Sequence, residues 1–238
     1  MPFPQSARTS AYPRSVAAGR EAGLSQFFTG VYGWLSAGVA LSGVTALVML
    51  SMPTVLIAMV RNPIFMIGAF LVQMGLVTTF SARASSISTF AAANMFFAYA
   101  ALMGVWLAPL AFVYTGASVV QAMFVSAAAF GGLGLYGATT QRNLMGMGQF
   151  LLVGLFGALA LLLLNVFLQS SGLDLVLNIA MLGLFLGMIA WDHQRLKMLY
   201  VESGTAGNAS LLGAFMLYGT FINLTLTLLR LFGGRRED

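Results

Sequence analysis

"LVLNIAMLGLFLGMIAWDHQRLKML", residues 175–199, decides the class of this protein. From Leu175 to Trp191 the run is apolar except for Asn178; Asp192, His193, Arg195 and Lys197 then follow in quick succession. Such a run is stable in hydrocarbon as a helix, because a helix satisfies its own backbone hydrogen bonds where water is absent. About 20 apolar residues cross the roughly 30 Å core of a bilayer. The pattern repeats outward, with candidate spans near 27–50, 63–80, 90–112, 117–138, 149–168, 175–195 and 211–232. Turn-rich punctuation separates them: "SMPT" with Pro53, "RNP" with Pro63, "SARASS", "YTGAS", "TTQRN", "SSGLD" and "ESGTAGN".

Composition points the same way. Of 238 residues, 59% are hydrophobic and 7% charged, whereas about a quarter of a soluble domain is charged. The expected architecture is an all-α polytopic membrane protein, a seven-helix transmembrane bundle over residues 25–233. A polar tail over residues 1–24, with Pro2, Pro4, Pro13, Arg8, Arg14 and Arg20, is expected to be disordered, and residues 234–238 form a short charged tail. The Arg- and Ser-rich N-terminus also has the look of an organellar transit peptide, although no clear basic amphipathic helix forms in it.

The net charge of +5 comes from 11 Lys and Arg scattered near segment ends. That distribution speaks for topology and anionic headgroups, and without a basic stripe interleaved with aromatics it gives no nucleic-acid partner. Arg8, Arg14, Arg20, Arg83, Arg142, Arg195 and Lys197 share one side of the expected bundle, against Arg61, Arg230, Arg235 and Arg236 on the other. This favours a cytoplasmic N-terminus. The arginines of "RLFGGRRED" favour the cytoplasm too, which an odd number of spans forbids unless one segment is re-entrant.

Several chemistries are excluded by inventory. Cysteine is absent and His193 is the single histidine, so thiolate nucleophiles, disulfides and a His-cluster zinc site are ruled out within one chain. A retinal protein needs a lysine inside its last helix, and the one lysine is Lys197, beyond the sixth span. An intramembrane serine protease needs a serine and a buried histidine, whereas His193 is placed by a polar loop. No enzyme activity and no cofactor are expected. "GLGLYG" matches G-x-G-x-x-G through Gly132, Gly134 and Gly137, but it lies inside an apolar helix with no strand before it, so it reads as close helix packing. Gly183 and Gly187 read the same way.

Asp192 is left as the one acid next to a span, the others being Glu21, Asp174, Glu202, Glu237 and Asp238 in tails or loops. Two accounts stand. In one, Asp192 marks the membrane interface and pairs with Arg195 on the next turn, a contact worth a few tenths of a kcal/mol (~0.3). In the other, it faces the bundle interior as a gate.

Four stretches carry a family resemblance. "FGGLGLYGATTQRNLMGMGQFLLVGLFG" (130–157), "AWDHQRLKMLY" (190–200) and "LYGTFINLTLTLLRLFG" (217–233) resemble motifs of the Bax inhibitor-1 family, and "AALMGVWLAPLAFVYTGASVVQAMF" (100–124) has its texture. The resemblance runs from about residue 25 to 233. It implies seven helices with the last one buried among the others, a bacterial inner-membrane location, and a pH-sensitive calcium leak. In that family picture two aspartates, on the sixth and seventh helices, share a proton, and a basic residue near the second helix helps to close the pore.

Asp192 matches the first aspartate through its Trp-Asp-x-Gln setting, and Arg83 is a looser match to the basic partner. Where the second aspartate belongs, this chain has Thr220. Two close carboxylates cannot both ionise cheaply, whereas threonine does not titrate, so pH gating is expected to be altered or lost. Calcium prefers several oxygen ligands; Asp192 with Thr220, Asn223 and carbonyls would make a weak site. Relatives in the family also include a modulator of a membrane-bound AAA protease, which implies the alternative of a non-transporting interaction protein using the N-terminal tail.

Overall fold

A computed structural model of the chain describes residues 14–83, 86–204 and 208–236. Among them the regular elements are helices: α1 (Arg14–Leu50), α2 (Pro53–Arg61), α3 (Pro63–Arg83), α4 (Thr89–Leu107), α5 (Gly116–Thr139), α6 (Met145–Leu168), α7 (Ser171–Ser203) and α8 (Ala209–Phe232), with a 3-10 turn at Ala108–Phe112. All but α2 are long and apolar enough to cross a membrane, giving 7 spans. The chain is an all-α polytopic membrane protein.

The polar punctuation between spans acts as helix caps. Ser88, Thr115 and Ser170 each accept a hydrogen bond from the backbone N–H three residues on, satisfying a donor that a helix start leaves open. Pro53 and Pro63 do more than interrupt. Each takes the first helical position, where its missing N–H is harmless and its fixed φ suits the helix. The segment between the first two spans therefore contains the short α2 rather than an open loop, and Asn62 Oδ1 accepts from Ile64 and Phe65 to start α3.

Two helices outrun the bilayer. With 37 and 33 residues, α1 and α7 are about 55 and 50 Å long, against roughly 30 Å of hydrocarbon. Residues 14–24, expected in a disordered tail, thus form the first turns of α1, while residues 1–13 lie outside the described residues. Likewise α7 continues to Ser203 instead of ending near residue 195. The extensions project from the same face, where the Phe27 and Tyr200 rings meet at 5.6 Å.

At the centre stands α8, packed by α1, α5, α7 and α4, as the resemblance implies for the last helix. By contrast α6 leans on α7, and α3 on α4. The outward Leu, Val and Phe side chains of α6 face the lipid. The C-terminal segment is stitched down rather than free. Tyr114 and Arg235 form an antiparallel bridge, Thr115 N donates to Gly234 O (3.1 Å) and Arg236 N donates to Val113 O (3.0 Å); Glu237 and Asp238 lie outside the described residues. The chain therefore ends on the face reached after α4, opposite the face where α1 begins beside the end of α7. That placement is what seven crossings, an odd number, would give.

Candidate functional site

Asp192 lies inside the bundle. Its side chain is 3% exposed, and the Thr220 hydroxyl, itself on a residue 5% exposed, donates to Oδ2 at 2.7 Å. Thr220 is eleven residues from the start of α8, about 16 Å along a helix of 24 residues. The carboxylate is thus held near the middle of the membrane span rather than one turn below its surface. Ile189, Ala190, Trp191, Asp192 and His193 are all buried, so α7 is enclosed on every side at this level.

The interface account of Asp192 fails on geometry. The Arg195 guanidinium stacks over the Trp191 ring, 5.4 Å from its centroid, and the charge of Arg195 reaches Asp192 without an ion pair among the described residues. Arg83 is not brought to the site. It ends α3 on an exposed turn, and α3 packs on α4 rather than on α7. Asn223 is exposed and donates to Gly219 O, so it does not join Thr220 around the carboxylate.

His193 departs most from its sequence reading. Instead of lying by a polar loop, it is 1% exposed. Its Nδ1 is 2.7 Å from the Ile189 carbonyl, which can only accept, so Nδ1 carries the proton; Nε2 then accepts from the Tyr32 hydroxyl at 2.7 Å. Phe28 stacks on the imidazole at 6.1 Å and Phe130 meets it edge-on. Gly134 completes the cage, because a Cβ there would lie 2.6 Å from Nε2. Tyr32 and its partners sit far from α7 in sequence, and the one signal that pointed here was the Asp192-His193 adjacency.

A second polar tie lies higher on α8. Ser42 Oγ has one hydrogen for the carbonyls of Gly38 (2.9 Å) and Ala100 (2.8 Å), so the Tyr218 hydroxyl donates to it at 2.6 Å, joining α1, α4 and α8. Toward the N-terminal face, Gln194 Oε1 accepts from Leu144 N (2.6 Å), its Nε2 donates to Arg142 O (2.8 Å), and Lys197 Nζ donates to Ala138 O (3.2 Å). These bonds clamp the α5–α6 turn onto α7.

The stretches that carried the resemblance therefore meet in space: the turn at 139–144, the α7 segment at 191–197, and α8 around Thr220. A family model described as "Inhibitor of apoptosis-promoting Bax1" matches residues 24–237. The chain belongs to the Bax inhibitor-1 family. Bacterial relatives agree over most of their length: "Inner membrane protein YbhL" of Escherichia coli (strain K12) is 36% identical over 90% of this chain and 94% of its own. A Caulobacter vibrioides protein is 38% identical over 95% and 97%, and "Uncharacterized protein RP147" of Rickettsia prowazekii is 34% identical over 90% and 92%.

In this Bax inhibitor-1 protein the group that faces Asp192 is the Thr220 hydroxyl. A hydroxyl donates to a carboxylate oxygen whether or not the acid carries a proton, so the α7–α8 contact needs no shared proton. For an ion, two side-chain groups are few. Calcium takes six to eight oxygens, and the described residues hold no cluster of three His, Cys, Asp or Glu.

Proposed function

We propose that this protein is an inner-membrane cation leak pathway of the Bax inhibitor-1 type, with calcium as the conducted ion, Asp192 as the charged element of the gate and Thr220 as the latch that holds it. The observation that supports this reading is the single acid at half-depth of the bundle, tied to the central helix by one hydrogen bond. An ionisable side chain at that depth is costly unless it serves a pathway. The E. coli relative's name supports the inner membrane, and the basic residues at the α1 and α7 ends support a cytoplasmic N-terminus. In calcium-loaded liposomes the wild-type protein should show a flux that Asp192→Asn changes. Equal fluxes for the two proteins, or none for either, reject the pathway.

The projecting ends of α1 and α7 favour a second reading, an interaction protein that modulates a membrane-bound protease. Deleting residues 1–20 should then abolish the effect on substrate turnover while the bundle stays folded. Unchanged turnover counts against it.

A further inference from the structure

We propose that the crevice between α1 and α5 is a binding site for one acyl chain of an anionic phospholipid, whose headgroup is held by Arg235 and Arg236. The helices α1 and α5 hardly touch each other; each packs on α8 instead, which leaves a cavity of about 420 Å³ floored by Phe221, Ile222 and Thr225. That volume lies within the ordinary range for a ligand site. Small residues make the room, among them Gly43, Ala46, Ala108 and Gly116. Its lips, Leu47, Val120 and Met123, are exposed along membrane-spanning helices, so the crevice opens sideways into hydrocarbon and the adjacent molecules are lipids.

The hydroxyls in the cavity are already committed. Ser42 is engaged with Tyr218, Gly38 and Ala100, and Thr225 donates towards Ser126 and Phe221 O. Nothing there replaces the water shell of an ion, so the lining suits an alkyl chain and not the conducted cation. The rim supplies the headgroup contact. Arg236 donates to the carbonyl of Ala111, a lining residue, at 3.0 Å, and Arg235 is pinned beside it by the bridge to Tyr114. Both are exposed at the end of the spans, where phosphate groups lie. Glu237 and Asp238 follow in sequence, so the charge test is made on the arginines directly.

The full chain in detergent is mixed with dioleoyl phosphatidylglycerol or dioleoyl phosphatidylcholine, and bound lipid is counted by native mass spectrometry. The expected result is one retained phosphatidylglycerol, preferred over phosphatidylcholine by about thirtyfold, as two arginines near an anionic headgroup imply. The double variant Arg235→Gln, Arg236→Gln should lose the preference. Gly43→Leu should lose the lipid, because an added Cβ meets nothing within 4 Å and the side chain fills the crevice. Gly116→Leu, equally free of neighbours on the opposite wall, does the same should the first variant fail to fold. Equal retention of the two lipids, retention unchanged by a folded crevice-filling variant, or displacement by free oleate at equal concentration overturns the proposal.

Discussion

Thr220→Val removes one hydroxyl while nearly keeping the side-chain volume, and it isolates the latch. In this structure the Thr220 hydroxyl lies 2.7 Å from Asp192 Oδ2 on a residue 3% exposed, and no ion pair replaces it among the described residues. A hydrogen bond to a charged group contributes about 1.5–3 kcal/mol. A separated α7–α8 pair would let water solvate the carboxylate, so the loss falls mainly on the closed state. At about 1.4 kcal/mol per factor of ten, the open fraction should rise by about tenfold to a hundredfold. The assay is calcium release from liposomes holding matched amounts of protein, with Thr220→Ser as the control that keeps the hydroxyl. Faster release for valine and near wild-type release for serine are expected. If valine and wild type release calcium at the same rate with the fold intact, the hydrogen bond is not what holds the pathway shut.

Thr220→Asp should create a pH dependence: with two carboxylates, closure requires a proton between them, so flux falls on acidification and rises as both ionise; a flat flux–pH curve contradicts it. Gly137→Ala should destabilise by about 1–3 kcal/mol, because its Cβ would strike the Ala190 backbone, which cannot rotate away as a side chain does. Gly132→Ala meets nothing within 4 Å and should instead stabilise by about 0.5–1 kcal/mol through helix propensity; thermal unfolding in detergent separates the two signs. Tyr32→Phe leaves the buried Nε2 of His193 without its donor and should cost about 1–3 kcal/mol, lowering the unfolding temperature by several degrees.

The seven spans are legible in the sequence because hydrocarbon leaves a chain few options, and the capping residues Ser88, Thr115 and Ser170 mark where three of the helices begin. What the pattern hid was governed by tertiary contact. Pro53 and Pro63 look like breaks, yet proline is equally a helix starter, and that signal could have placed α2. In "GLGLYG", Gly134 and Gly137 are close-packing positions against His193 and Ala190, while Gly132 faces open space. Similarly Gly187 meets Leu151 but Gly183 meets nothing, so only half of that pair packs. Polarity misplaced His193, since Gln194, Arg195 and Lys197 after it resemble a membrane boundary. They occupy the next turns of α7, where Gln194 and Lys197 bond to the α5–α6 turn region and Arg195 lies over Trp191. The meeting of Asp192 with Thr220 was legible from the family motifs alone, because no periodicity links residues on two different helices.

The bonds around Asp192 tie α7 to every helix packed against it at this depth. On one side of α7 there is no room for slippage: Gly137 brings the α5 backbone onto Ala190, Gly134 abuts His193, and Gly148 of α6 faces the Trp191 ring. Gln194 and Lys197 add three hydrogen bonds from α7 to the α5–α6 turn region. On the other side, α7 is joined to α8 at this depth by the single Thr220 bond and to α1 by the Tyr32–His193 bond. Pulling α8 away would also unpack its seam with α7, where Gly213 abuts Leu196, and break the Thr225–Ser126 bond from α8 to α5. Any motion that frees Asp192 is therefore expected to be local, a turn of the Thr220 side chain or a small shift of α8, rather than a parting of whole helices. The crevice between α1 and α5 is floored by Phe221 and Ile222, next to Thr220 on α8, so a chain lodged in it would press on the segment that holds Asp192.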